Sequence, residues 1–118
     1  MMRVPTWLTG LSLGVLCMGF VAGCASYSTG GGNPHVAGAI THAQEAVNHG
    51  GMGHADAVAT HAEVSIQHAQ AATKEMNNPH LDAGIAELGE AITHGKAGHA
   101  DVASDHAKSA VMHLQEIK

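Results

Sequence analysis

Residues 33–73 reappear, shifted by 45 positions and without a gap, as residues 78–118. "NPH" at 33–35 falls on "NPH" at 78–80, and "EAVNHGGMGHAD" at 45–56 falls on "EAITHGKAGHAD" at 90–101. His61 aligns with His106 and His68 with His113. A repeat of this length is one supersecondary unit copied twice. Both copies must therefore take one fold and bury their apolar faces against each other.

The punctuation inside each copy specifies a helical hairpin. Asn33 and Asn78 suit the N-cap and Pro34 and Pro79 the first helical position. Gly50 and Gly95 suit the C′ position, where a left-handed residue ends a helix. Gly53 and Gly98 can open the next helices, with Asp56 and Asp101 near the positive end of the dipole. These signals predict helices near 35–49, 54–76, 80–94 and 99–117. Short loops make neighbours antiparallel, so the fold expected is all-α, an up-down-up-down four-helix bundle built from two repeated hairpins. Val36, Ile40, Ala43 and Val47 recur at helical steps, as do Leu81, Ile85, Leu88 and Ile92. The second helices carry Ala55, Ala59, Ala62, Ile66 and Ala69, and Ala100, Ser104, Ala107, Val111 and Leu114. Alanine lets helices approach closely but buries little apolar area, so stability without a ligand is expected to be marginal.

The N-terminus sets a different bound. "MMRVPTWLTGLSLGVLCMGFVAGC" has one basic residue, Arg3, then an apolar run ending in small residues. Residues 1–23 read as an export signal, whose apolar run of roughly fifteen residues is short for a spanning helix. "VAGC" at 21–24 resembles a bacterial lipobox, which makes Cys24 a candidate lipidation site; ordinary cleavage near Ala25 is the alternative. Residues 24–33 read as a flexible tether and 34–118 as the His-rich bundle. Cys17 falls in the signal and Cys24 at its end, so no disulfide is expected in the folded part, and metal ligands there must be His and carboxylate. Beyond Arg3 the only other basic residues are Lys74, Lys96, Lys108 and Lys118, against ten acidic ones. That balance speaks against nucleic acid and for cations.

All eleven histidines lie in the repeats. "HADAVATHAEVSIQHAQ" at 54–70 spaces them by seven, which returns to nearly the same helix face about 10.5 Å further on. Two such rings cannot share a metal whose bonds to nitrogen are about 2 Å long. A hairpin solves this, because residues equidistant from its turn sit level on the two arms. His49 then pairs with His54, His42 with His61 and His35 with His68. In the second copy His94 pairs with His99, Glu87 with His106 and His80 with His113. Glu45 and Glu90 precede His49 and His94 by four residues, so Glu45/His49/His54 and Glu90/His94/His99 are the sites favoured by sequence. Imidazole with oxygen donors suits Cu(II), Ni(II) and Zn(II), with copper first in the Irving–Williams order. Without thiolates, and with only Met52, Met76 and Met112, selective Cu(I) binding is not expected.

A single histidine on a helix is most often a solvated surface residue; two matching ladders are what lift the metal reading above that. One rival is a pH-responsive bundle with no specific metal role, since imidazoles titrate near 6.5. An enzyme is not expected. The spacing is Glu-x-x-x-His rather than the Glu-x-x-His of di-iron bundles, C-x-x-C-H is absent, and no nucleophile constellation is present.

The histidine heptads, the "HG…GHAD" turns and the duplicated hairpin resemble the small metal-binding protein family of exported His-rich four-helix bundles, over most of residues 33–118. The resemblance implies binding of several divalent ions, copper foremost, and a role in metal buffering or tolerance outside the cytoplasm. Two features depart from it. Glu87 stands where a ladder histidine would be, and a lipid anchor at Cys24 would hold this chain at a membrane. The periplasmic face of the outer membrane is the expected site, because Ala25 and Ser26 carry no acidic retention signal.

Overall fold

A computed structural model describes residues 32–118. The expected export signal, Cys24 and the tether up to residue 31 lie outside the described residues. Among those described, the chain forms four helices and no strand: α1 (Pro34–Gly51), α2 (Ala55–Thr73), α3 (Pro79–Lys96) and α4 (Ala100–Gln115). Helices adjacent in sequence pack on one another and α1 closes the ring on α4, which makes the expected four-helix bundle. The α2–α4 diagonal is also in contact, as their alanine-rich faces permit. None of these helices is long and apolar enough to cross a membrane.

The start signals act as the sequence predicts. The Asn33 side chain accepts from the backbone N–H of His35 at 2.8 Å, and Asn78 accepts from His80 at 2.9 Å. Each bond satisfies a donor that the first helical turn would otherwise leave unpaired. Replacing Asn78 with alanine should therefore cost about 0.5–2 kcal/mol, visible as an earlier thermal unfolding midpoint.

The stop signals differ from expectation. Gly50 and Gly95 do not end helices; α1 and α3 run on to Gly51 and Lys96. The left-handed residues are Gly53, at φ 78°, and Gly98, at φ 81°. Around them the His54 N–H donates to the His49 carbonyl, and the His99 N–H to the His94 carbonyl, each at 2.9 Å. This is the six-to-one bond of a Schellman turn, with Gly53 and Gly98 at C′. The next helices are capped by His54 and His99, neither of which makes a side-chain capping bond. At their far ends α2 and α4 stop at Thr73 and Gln115, short of the predicted 76 and 117.

Gly50 and Gly95 serve a different purpose: both are buried where helices cross closely. A β-carbon on Gly50 would lie 2.3 Å from the Ser104 Cβ, and one on Gly95 would lie 2.9 Å from the Ala59 Cβ. Ala59 and Ser104 occupy equivalent positions of the two repeats. The same crossing thus recurs between α1 and α4 and between α2 and α3.

Close approach also explains which residues reach the centre. The buried set in α1 is Val36, Ala39, Ala43, Ala46 and Gly50, while the predicted Ile40 and Val47 are only half-buried at its margin. In α3 the predicted Leu81 and Leu88 are central, joined by Gly84, Ala91 and Gly95, with Ile85 and Ile92 at the side. Small residues take the helix–helix seam and branched ones wall it. Two hydroxyls inside the bundle are satisfied by carbonyls of α1, Ser65 by Ala39 at 2.7 Å and Ser104 by Val47 at 3.3 Å.

Candidate metal centre

Every histidine ring that approaches another does so within its own hairpin. The rings expected as rungs come together: His35 and His68 at 6.2 Å between centroids, His42 and His61 at 6.1 Å, His49 and His54 at 5.9 Å. In the second copy His80 and His113 lie 6.2 Å apart and His94 and His99 5.9 Å. The rungs are not separate steps, however. His42 is nearer to His68, at 5.5 Å, than to His61, and His49 is nearer to His61, at 4.9 Å, than to His54. Likewise His94 approaches His106 to 5.4 Å. Histidines of one arm fall between those of the other, so the rungs merge into a zigzag.

The arms α1/α2 and α3/α4 form opposite sides of the four-helix ring, so the two rows run along opposite edges of the bundle. Most of the rings are half-buried; His54 and His99, at the turns, are exposed. Gly38 makes room for one of them, since a β-carbon there would sit 2.9 Å from the Nδ1 of His68.

Carboxylates complete two clusters, with memberships that differ from the sites favoured by sequence. Glu45 does not group with His49 and His54. Its Oε2 lies 3.0 Å from the Nδ1 of His42 and 3.0 Å from the Nδ1 of His61, joining one residue of α2 to two of α1. Glu90 groups with His94 as expected, but the third member is His106 rather than His99. At Glu45 the reason is direction: helical side chains lean toward the N-terminus. Glu45 on α1 therefore reaches back, away from the turn, to the turn of helix that carries His42. Glu87 faces His106 as its rung partner, with Oε2 2.8 Å from Nδ1. Glu75, which sequence reasoning passed over, stands 3.7 Å from the Nε2 of His35 and accepts from the Asn33 amide. It lies between the two repeats, where neither the periodicity nor the alignment marks it.

The donor set fits a first-row divalent ion. With bonds of about 2.0–2.1 Å, neighbouring ligand atoms lie about 2.8 Å apart at square-planar angles and about 3.3 Å at tetrahedral ones. The two 3.0 Å edges at Glu45 fall between those limits. Two imidazoles sharing such an ion should have centroids about 4.5–6.4 Å apart, a window that holds all eight close pairs, although four of them lie near-parallel at 6–22° and would have to rotate to converge on the ion. The Nδ1 of His49 is buried and, among the described residues, has no hydrogen-bond partner. A buried nitrogen left unpaired costs free energy that a ligand bond would recover. The lysines in ion pairs stand away from these carboxylates: Lys96 holds Glu63 at 2.7 Å and Lys108 holds Asp105 at 2.8 Å.

A family profile described as "Small metal-binding protein" matches residues 8–117 of the chain. The chain belongs to the small metal-binding protein family. No curated protein matches it. Membership establishes metal binding as the family trait, and the His/Glu clusters supply groups that can carry it out.

In this member of the small metal-binding protein family, burial and the crowding of imidazoles together act on His68. Burial, then the neighbouring His42 and His35, push the pKa of His68 below its ordinary value. The folded chain thus resists a proton that the unfolded chain accepts. Stability should fall as pH drops below about 6.5, and level off once the folded His68 also titrates. Thermal unfolding of the metal-free protein at pH 7.5 and pH 5 checks this; an unchanged or higher midpoint at pH 5 would contradict it.

Proposed function

We propose that the chain is an exported buffer for divalent cations, with Cu(II) favoured over Ni(II) and Zn(II), and that it serves metal storage or tolerance rather than catalysis. The observation that carries the reading is the Glu45 carboxylate, which links imidazoles of two antiparallel helices at ligand–ligand distances. Each such centre offers two nitrogens and one oxygen, leaving positions for water or a further imidazole. This open, nitrogen-rich shell ranks copper first, and the shared, half-exposed ligands suit reversible loading.

Binding to the folded state alone should stabilise it by about 2.7 kcal/mol per site at a free ion concentration of a hundred times Kd. For a domain of this size that raises the midpoint by about 10–20 °C. Calorimetry and thermal unfolding with Cu(II), Ni(II) and Zn(II) at pH 7.5 test the reading. Heat and stabilisation are expected with each, and both should vanish below about pH 6 as protons displace metal. Neither heat nor stabilisation with any of the three would leave only the pH-responsive bundle.

The same reading places the protein outside the cytoplasm, held by a lipid on Cys24 at the periplasmic face of the outer membrane. Fractionation of cells expressing the full chain should find it with membranes, and the Cys24→Ser variant should leave them. Equal partitioning of the two would remove the anchor.

A further inference from the structure

We infer that the first hairpin is an ion relay, a continuous file of overlapping sites along which one divalent cation passes between the open end and the turn, whereas the second hairpin is divided at Glu87. This rests on the metal-buffering reading and concerns how ions move within the site. Following the nearest rings, the file runs His35, His68, His42, His61, His49, His54, with successive separations of 6.2, 5.5, 6.1, 4.9 and 5.9 Å. Every interval, across a rung or between rungs, lies in the about 4.5–6.4 Å window for two imidazoles sharing an ion. No interval stands out as a closed site with a gap beyond it.

Each interior ring thus lies within reach of two partners, although the near-parallel pairs, His42 with His68 and His61 and His49 with His61 at 11–22°, need one ring to turn about its Cβ–Cγ bond to aim its nitrogen at a shared ion. An ion held by His42 and His61 can release His42 and take His49 while His61 keeps hold of it. A step exchanges one metal–nitrogen bond for another with no net change in proton or charge, and without passage through bulk water. Glu45 lies beside the middle of this file, and the unpartnered Nδ1 of His49 lies one ring further on toward the turn.

The second hairpin has the same backbone frame but a different file. His99, His94 and His106 are consecutive, at 5.9 and 5.4 Å. The next place belongs to Glu87, the counterpart of His42, whose carboxylate is bonded to His106 at 2.8 Å. His80 and His113 form a separate pair beyond it, and among the described residues no ring contact joins that pair to His106. Two compartments result where the first hairpin has one.

Side-chain histidine NMR on the purified protein, with Zn(II) as a diamagnetic probe below one equivalent, tests this. In the first hairpin all six ring signals should shift together, and the exchange rate among them should not change with protein concentration, because the ion moves within one molecule. The His61→Ala variant should split the response, so that His35, His42 and His68 no longer shift in step with His49 and His54. In the second hairpin His80 and His113 should respond apart from His94, His99 and His106, and Glu87→His should merge them. Two results overturn the relay while leaving metal binding intact: Zn(II) held in slow exchange at one rung of the first hairpin, or an exchange rate that rises with protein concentration. Ring signals that ignore Zn(II) altogether would overturn the relay and the buffering reading together. The concentration series uses the wild-type protein, so it decides the matter even if a variant folds poorly.

Discussion

Replacing His42 and His61 together with alanine should abolish the centre at Glu45 without harming the fold. Both side chains are about 30% exposed and neither belongs to the buried core. Alanine is the better helix former, so the metal-free variant should match the wild type or exceed it by up to about 1 kcal/mol. Its response to Cu(II) should differ sharply. Losing an outer-shell partner of a metal costs roughly 10–100-fold in affinity, and losing two of three ligands should cost more. Calorimetry should then show fewer bound ions, and metal should raise the unfolding midpoint less. If the variant bound as many ions as tightly as the wild type, Glu45 and its two imidazoles would not be a site.

Adding a β-carbon at Gly50 is expected to destabilise the bundle. An added β-carbon would lie 2.3 Å from Ser104 Cβ and 3.2 Å from the Ala100 carbonyl oxygen. The first of these separations cannot exist without moving α1 away from α4. Overpacking of this kind costs about 1–3 kcal/mol, against a gain of up to about 1 kcal/mol from replacing a helical glycine. A β-carbon on Gly89, also within a helix, meets nothing within 4 Å. Gly50→Ala should thus lower the unfolding midpoint and Gly89→Ala raise it. Opposite signs from one chemical change would show that a β-carbon at Gly50 meets α4 whereas one at Gly89 meets nothing. Two shifts of the same sign would contradict that contrast.

The all-α hairpin duplication was legible because its signals are local. Asn-Pro starts, turn glycines and seven-residue spacing each act within one or two helical turns, and the 45-residue repeat supplied the copy number. Which of two nearby glycines ends a helix was not legible. Gly50 and Gly53 both satisfy the local rule, and the choice depends on Ser104, more than fifty residues away. The centre of each core stripe was displaced for a related reason. Periodicity weighs Ile40 and Val47 by hydrophobicity, whereas the seam selects Ala39, Ala46 and Gly50 by size.

Within the candidate site, the pairing of histidines across each hairpin followed from counting outward from the turn. Counting could not give the offset between the arms, which brings His49 closer to His61 than to His54. Nor could it assign the carboxylates. Spacing of four places Glu45 beside His49, but the lean of helical side chains sends it toward His42. Glu75 has no repeat partner and lies outside the heptads, so only its position beside His35 reveals it.

Antiparallel arms bring imidazoles from both helices of a hairpin within reach of one cation. Anomalous diffraction from crystals of the protein loaded with Cu(II) measures this directly. An anomalous peak is expected about 2 Å from ligand atoms of His42, Glu45 and His61, with further peaks between rings of α1 and α2 or of α3 and α4. Copper bound only by residues of a single helix, or found away from both histidine rows, would contradict it.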